Sequence, residues 1–313
     1  MLRILYNTKI DFIRHWRTAV IITIAFVVVG FGSALVNGWF HYSIEFTGGT
    51  LMQLEFKEAP DVSRVRAAVE RAGVGGAEIT QYGSPTDFRI RAQSEETTDD
   101  SDATAVAHRI SEALTAELGA GSFVIADRMA IGPRVGAELR TDAVIAVLIS
   151  FVTTLLYLAW RFEWRFGVAA IFATFHDIIA TIAFIKLLDL EISLTVIAAV
   201  LTVLGYSLND TIIIFDRVRE NLHKNRKQSL HDTLNLSVNE TLPRTALTGG
   251  TAVGATLALL LLGGPVIRPF AWVMTFGIIV GTFSSIFVAS PILLWVESKW
   301  PRQSEARPKA TRA

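Results

Sequence analysis

Asp210, Arg244 and the neighbouring pair His176 and Asp177 are ionisable residues set in or at the edge of long apolar stretches. Asp210 lies in the run 201–221, LTVLGYSLNDTIIIFDRVREN, where an apolar helix passes into a charged segment. At helical spacing Thr202, Tyr206, Asn209, Asp210, Ile213 and Arg217 share one face, a mostly polar stripe on a greasy rod. A carboxylate facing lipid costs about 2.5 kcal/mol or more, so Asp210 is expected to face protein or a wet cavity, where it can carry an ion. The alternative is a helix-packing contact satisfied by Tyr206 and Asn209. Arg244 opens the following apolar stretch. A guanidinium nearby favours an ionised carboxylate and dry surroundings favour a protonated one, and a group balanced between them can take a proton from one side and release it to the other. One charge crossing the membrane field supplies about 2.3 kcal/mol per 100 mV, enough to bias a conformational cycle. For Arg244 alone the alternative is an interface arginine that snorkels to the headgroups. Sodium is the alternative ion, with Asp210, Asn209, Thr211 and backbone carbonyls as oxygen ligands. His176 and Asp177 point about 100° apart on a helix, so one can face a cavity while the other packs, in ion passage or in a plain helix contact.

Two kinds of intramembrane protease are weighed and set aside. Gly205, Tyr206 and Ser207 with His176 supply a serine and a base, but Leu208 and Asn209 follow the serine where a glycine is wanted. Asp177 and Asp210 have dissimilar neighbours, unlike a matched aspartyl pair. No enzyme activity, metal or cofactor is expected beyond the coupling ion. The absence of cysteine removes disulfides, thiolate chemistry and cysteine metal sites together.

The elements that must position these groups follow from the hydropathy. Charge-free or nearly charge-free stretches occur at 18–40, 143–160, 166–185, 192–209, 245–267 and 269–296. Each is long enough for a membrane-spanning helix, which needs about 20 residues. The formal net charge is zero but segregated, with basic residues at both termini, around Arg161 and Arg165, and after the fourth stretch. By the positive-inside rule both termini are cytoplasmic and the segment between the first two spans is outside. Residues 1–17 read as an amphipathic lead-in on the inner surface, 18–38 as an uncleaved first span, 139–297 as spans two to six, 228–242 as a surface helix and 298–313 as a basic cytoplasmic tail.

The segment 39–138 alternates in period. Strands are expected at 51–56, 78–82, 88–92 and 123–127, and helices at 61–72 and 103–118, the βαββαβ order of a ferredoxin-like α+β domain. Residues 42–46 read as an extra strand turned back by Gly48 and Gly49, a hairpin rather than a phosphate loop, since no lysine or helix follows. Residues 93–102 read as a mobile acidic loop. About sixteen acidic side chains against nine basic ones disfavour a nucleic-acid partner. Gly132, Pro133 and Gly136 suggest a break before the second span. Ala246, Gly250 and Gly254 repeat every four residues as a close-packing face, a device repeated by Gly277, Gly281 and Ser285.

Four runs together have the look of one family. GYSLNDTIIIFDRVREN from Gly205, including Asp216 and Arg217, FTGGT from Phe46, GPRVGAEL from Gly132 and FHD from Phe175 are similar to the bacterial SecF family. These are the smaller subunits of the SecD–SecF protein-export complex, within the resistance–nodulation–division superfamily. The resemblance implies a six-helix half of a twelve-span unit, completed by SecD. It implies work with the SecYEG channel, YajC, YidC and SecA-driven preproteins in drawing exported chains outward with the proton-motive force. It also implies proton passage at Asp210 and Arg244. A subunit that only stabilises SecD or SecYEG, and half of a small-molecule exporter, are the rival readings.

Overall fold

The computed structural model describes residues 5–6, 8–92, 100–225 and 227–300. Among them six helices are long and apolar enough to cross a membrane. The chain falls into two compact units, residues 1–40, 148–190 and 195–313 in one, and 41–147 with 191–194 in the other.

The first apolar rod is α1 (Trp16–Gly32), preceded by a 3₁₀ turn at Ile13–His15 and followed by the short α2 (Ala34–Asn37). The lead-in before it is tied to a later helix through its backbone. Asn239 accepts from the Ile10 amide at 2.9 Å and donates to the Ile10 carbonyl at 2.8 Å, and Asn235 accepts from the Ile13 amide at 3.1 Å. Ile13 is buried in the helical core. Two amides of a later helix thus satisfy part of the lead-in backbone, and Phe12 and Ile13 pack on the helical core, while Leu5, Ile10 and Trp16 stay exposed.

The second unit opens with α3 (Ile44–Thr47), followed by β1 (Gly49–Phe56), α4 (Val62–Arg71), β2 (Glu78–Gln81), β3 (Asp87–Ala92), α5 (Asp100–Leu118) and β4 (Phe123–Ile131). The sheet is antiparallel throughout in the order β2-β3-β1-β4, the ferredoxin-like arrangement. Met52, Leu54, Phe88 and Ile90 alternate onto one face and meet Val65 and Val69 of α4 and Ile110 and Leu114 of α5. Asp61 caps α4 by accepting from the Ser63 amide at 2.9 Å, a bond that holds its carboxyl below the usual range. Arg71 and Arg64 hold the Glu117 carboxyl low, so this tie between the two helices is present above the normal carboxylate pKa and is lost as acid protonates it. The outer edge belongs to β4, which leaves Val124, Ile125 and Met129 exposed. The expected acidic loop at 93–102 lies mostly outside the described residues.

The extra strand expected at 42–46 is instead a bridge residue and a helical turn. Its polar groups are claimed by the 191–194 segment of the same unit. The Ser43 amide donates to the Ile192 carbonyl at 2.9 Å, and Glu45 accepts from the Leu194 amide at 2.6 Å. With those bonds made, 42–46 has no need of a sheet neighbour. Gly48 and Gly49 therefore do not form a hairpin turn. Gly48 ends α3 at φ +70° and Gly49 begins β1. A Cβ on Gly136 would come within 2.8 Å of the Gly48 nitrogen, and one on Gly48 within 2.9 Å of Pro133 Cα. These glycines exist so that two backbones can touch.

Gly132 alone separates β4 from α6 (Pro133–Arg161), with Pro133 at the first helical position, where its missing N–H costs nothing. Next come α7 (Trp164–Leu187), α8 (Leu194–Lys224) and α9 (Leu230–Leu262). The separate surface helix expected at 228–242 is absent: α9 runs unbroken through Pro243. Its Leu234 and Val238 pack with Leu158, Phe166, Phe215 and Val218, so the apolar stripe that suggested a lipid surface has a protein partner. The last span joins α10 (Gly264–Ser284) to α11 (Ser290–Lys299) through a π-helical turn, Ser285–Ala289.

Candidate functional site

Near the middle of the helical unit two carboxylates, one on α7 and one on α8, are each held by hydroxyls from the last span. Asp177 is 1% exposed. Its Oδ2 accepts from Ser207 on α8 and, at 2.8 Å, from Ser284 at the end of α10, and its Oδ1 meets His176 Nδ1 at 2.9 Å. Both oxygens are bonded, so Asp177 ties three helices together. His176 is partly exposed along an apolar cleft of about 360 Å³ lined by α1, α7 and the last span.

Asp210 is equally buried but differently served. Thr282 of α10 donates to its Oδ2 at 3.0 Å, while Oδ1 has no hydrogen-bond partner among the described residues. The buried hydroxyls of Tyr206 and Thr245 are likewise unpartnered there. A buried carboxylate oxygen without a donor is costly as an anion and is the natural place for a proton. Tyr206 does not bond Asp210, and Asn209 is exposed, so the packing contact weighed for these residues is replaced by Thr282. Gly249 of α9 closes the group, for a Cβ there would lie 3.6 Å from Thr282 Oγ1 and 3.7 Å from Tyr206 Oη.

Arg244 is exposed on α9, and among the described residues no ion pair joins it to Asp210. Gly205, Gly250 and Gly254 are exposed with no atom within 4 Å of a built Cβ. The close packing expected of the α9 glycines is therefore not made inside this chain. Gly277 and Gly281 of α10 make it, against Val203 and Ser207 of α8. Thr211 meets Ser285 at 2.9 Å in the same seam.

Beyond Asp210 the charged run of α8 links helix ends. Asp216 accepts from Arg161 of α6 at 2.8 Å, Arg217 donates to Glu240 of α9 at 2.7 Å, and Asn221 donates to Glu240 at 2.7 Å and Ser237 at 3.0 Å. Residue types alone do not single out Thr282, Ser284 or Glu240, and Ser207 stands out only as a candidate nucleophile, not as a partner of Asp177. The only hint was the small-residue repeat of Gly277, Gly281 and Ser285, which marks the face that carries the hydroxyls. Ser284→Ala should cost about 1–3 kcal/mol of stability, because a buried carboxylate loses a donor. Thermal unfolding of the detergent-solubilised protein checks this, and an unchanged midpoint would show that the bond is dispensable.

Comparison with known proteins agrees at every scale. A family model described as the C-terminal part of the protein export membrane proteins SecD/SecF matches residues 110–299, and the SecD/SecF GG motif matches residues 33–60. A protein translocase subunit SecF from Gemmatimonas aurantiaca is 58% identical over 309 residues, covering 98% of this chain and 92% of the relative. The subunit from Vibrio alginolyticus is 38% identical, covering 94% and 92%. A crystal structure of SecDF, a translocon-associated membrane protein from Thermus thermophilus, matches at a TM-score of 0.80 and 35% identity. That match covers 95% of this chain and 40% of the SecDF chain, so the present chain spans well under half of it.

Proposed function

The chain belongs to the SecF family of protein-export membrane proteins, and from that premise we propose that it couples proton movement past Asp210 to export of preproteins. SecD would supply the other half of the membrane bundle. SecYEG, with SecA feeding preproteins and with YajC and YidC nearby, would be the wider assembly. Both termini would be cytoplasmic, and residues 39–138 would stand outside the bacterial plasma membrane. The observation that carries the reading is the half-served carboxylate of Asp210, buried among α8, α9 and α10 with one oxygen on Thr282 and the other unpartnered.

Protons are favoured over sodium by the same geometry. Of the side-chain oxygens proposed for sodium beside Asp210, Thr211 is engaged with Ser285 and Asn209 is exposed. His176 and Asp177 form a structural tie beside the pathway, because the Asp177 oxygens are already bonded. The exposed glycines Gly205, Gly250 and Gly254 would lie against SecD.

The test is ion flux and export in inverted vesicles carrying this chain with SecD, at fixed pH gradient with and without sodium. Sodium-independent flux supports the reading, and flux that requires sodium overturns the choice of ion. In the same assay Arg244→Gln should abolish gradient-stimulated export, and Arg244→Lys, which keeps the charge but not the guanidinium's donors, should retain part of it. Full activity in Arg244→Gln would make this arginine an interface anchor and nothing more.

A further inference from the structure

We infer that Glu240, paired with Arg217 and Asn221, is a clasp that closes the route between Asp210 and a polar vestibule at the Lys224 end of α8. The inference rests on the reading of Asp210 as the proton carrier. The geometry follows from how α8 and α9 run past each other. Asn221 meets Ser237, Arg217 meets Glu240, and Tyr206 lies by Gly249, so one antiparallel seam carries all three pairs. Asp210 sits in that seam between the second and third of them. Arg217 is two helical turns beyond it, about 10 Å along the axis. Any proton reaching Asp210 along the seam from that end must pass this pair.

A cavity of about 420 Å³ opens directly onto the pair. Arg217, Asn239, Glu240 and Pro243 line it together with Thr8 and Lys9 of the lead-in. The lead-in is held there by the two-way bond between Asn239 and Ile10, so the vestibule is built rather than incidental. It is large enough for several waters, and it has the polar partners that water needs.

The clasp is suited to opening. Glu240 Oε2 takes both Arg217 Nε and Asn221 Nδ2 at 2.7 Å, while the other arm of Arg217 reaches Glu220. The Arg217 and Glu240 side chains are about one-third exposed, 31% and 32%. A charge-assisted pair that borders water can separate without stranding a buried charge, unlike the fully buried tie at Asp177. Pro243 lies three residues on from Glu240 and removes one helix hydrogen bond from α9, which gives that helix a weak point beside the clasp. Glu240 is thus a positioning residue, acting on proton exchange through the helix ends it holds together.

The experiment measures passive proton conductance of vesicles carrying the full chain with SecD and no exported substrate. Glu240→Gln should raise conductance roughly tenfold, the change in open population expected when one charge-assisted bond is lost. Adding Asp210→Asn should return it to the wild-type level, a reversal that mere loosening of the fold would not give. The exchange Arg217→Glu with Glu240→Arg should restore low conductance. If Glu240→Gln assembles poorly, Glu240→Asp, which keeps the charge on a shorter stem, should show a smaller Asp210-dependent leak. Conductance equal to wild type in both Glu240 variants, or a leak indifferent to Asp210, overturns the clasp. Normal gradient-stimulated export in Asp210→Asn alone would instead overturn the proton reading beneath it, so the two failures are distinguishable.

Discussion

Asp210→Asn should reduce export to the level seen when the proton gradient is collapsed, while leaving the chain folded and assembled. The substitution is nearly isosteric. An amide oxygen can accept the Thr282 hydroxyl as Oδ2 does, so the link between α8 and α10 survives. What disappears is the ability to gain and lose a proton. One proton falling through 100 mV is worth about 2.3 kcal/mol, roughly a fifty-fold bias on a conformational equilibrium, and the variant forfeits all of it. Co-purification with SecD and in-vesicle translocation, each with and without an uncoupler, separate assembly from coupling. A variant whose export still rises with the gradient would leave this carboxylate a packing residue and favour a purely structural subunit. The neighbouring acid behaves differently. In Asp177→Ala both serine hydroxyls and the His176 ring lose their partner, so the expected loss is in folding or assembly rather than in coupling alone.

The second large effect is expected at Gly277, far from any charge. A Cβ there would lie 2.2 Å from one Val203 methyl and 2.6 Å from the other, and Val203 is β-branched, with little freedom to turn aside. Gly277→Ala must therefore push α10 from α8, at a cost of about 1–3 kcal/mol by the usual penalty for overpacking. The same displacement lifts Thr282 from Asp210 and Ser284 from Asp177, because all ride on α10. Thermal stability and gradient-stimulated export should fall together, and Val203→Ala in the same chain should recover much of both. If Gly277→Ala is as stable as wild type, the helices are not in the contact described. Gly250→Ala is the internal control. Nothing lies within 4 Å of its built Cβ, so the chain's own stability should be unchanged, and any defect should appear only as weaker association with SecD.

The fold was legible in the sequence wherever one periodicity dominated. The six apolar rods stand out by length, and the βαββαβ order by alternation between periods of two and 3.6. Two errors share a physical cause. Residues 42–46 alternate like a strand and residues 228–242 carry an amphipathic stripe, and both patterns show that a face is buried without showing against what. In each case a distant segment supplies the answer, residues 191–194 for the first and the Leu158–Phe215 core for the second. The site divides the same way. Asp210 announces itself because a carboxylate among apolar residues is costly. Thr282 and Ser284 do not, since a hydroxyl in an apolar helix can always fall back on its own backbone carbonyl, as Thr174 and Ser285 do here. Glu240 was hidden by lying in a segment that already looked amphipathic.

The wide turn at Ser285–Ala289 settles a conflict of phase within the last span. Gly277 and Val296 are both buried against the rest of the bundle, although nineteen positions (296 − 277) separate them. At roughly 100° per residue an unbroken α-helix would leave those two positions about 100° out of step. One surplus residue, taken up where the ladder loosens to i→i+5, cancels that angle. Ser290 marks the spot by donating its hydroxyl to the carbonyl of Ser285. A single rod can thus present hydroxyls to two acids at one height and an oily anchor at another on the same side, and shortening it by one residue would turn one of those sets toward the lipid.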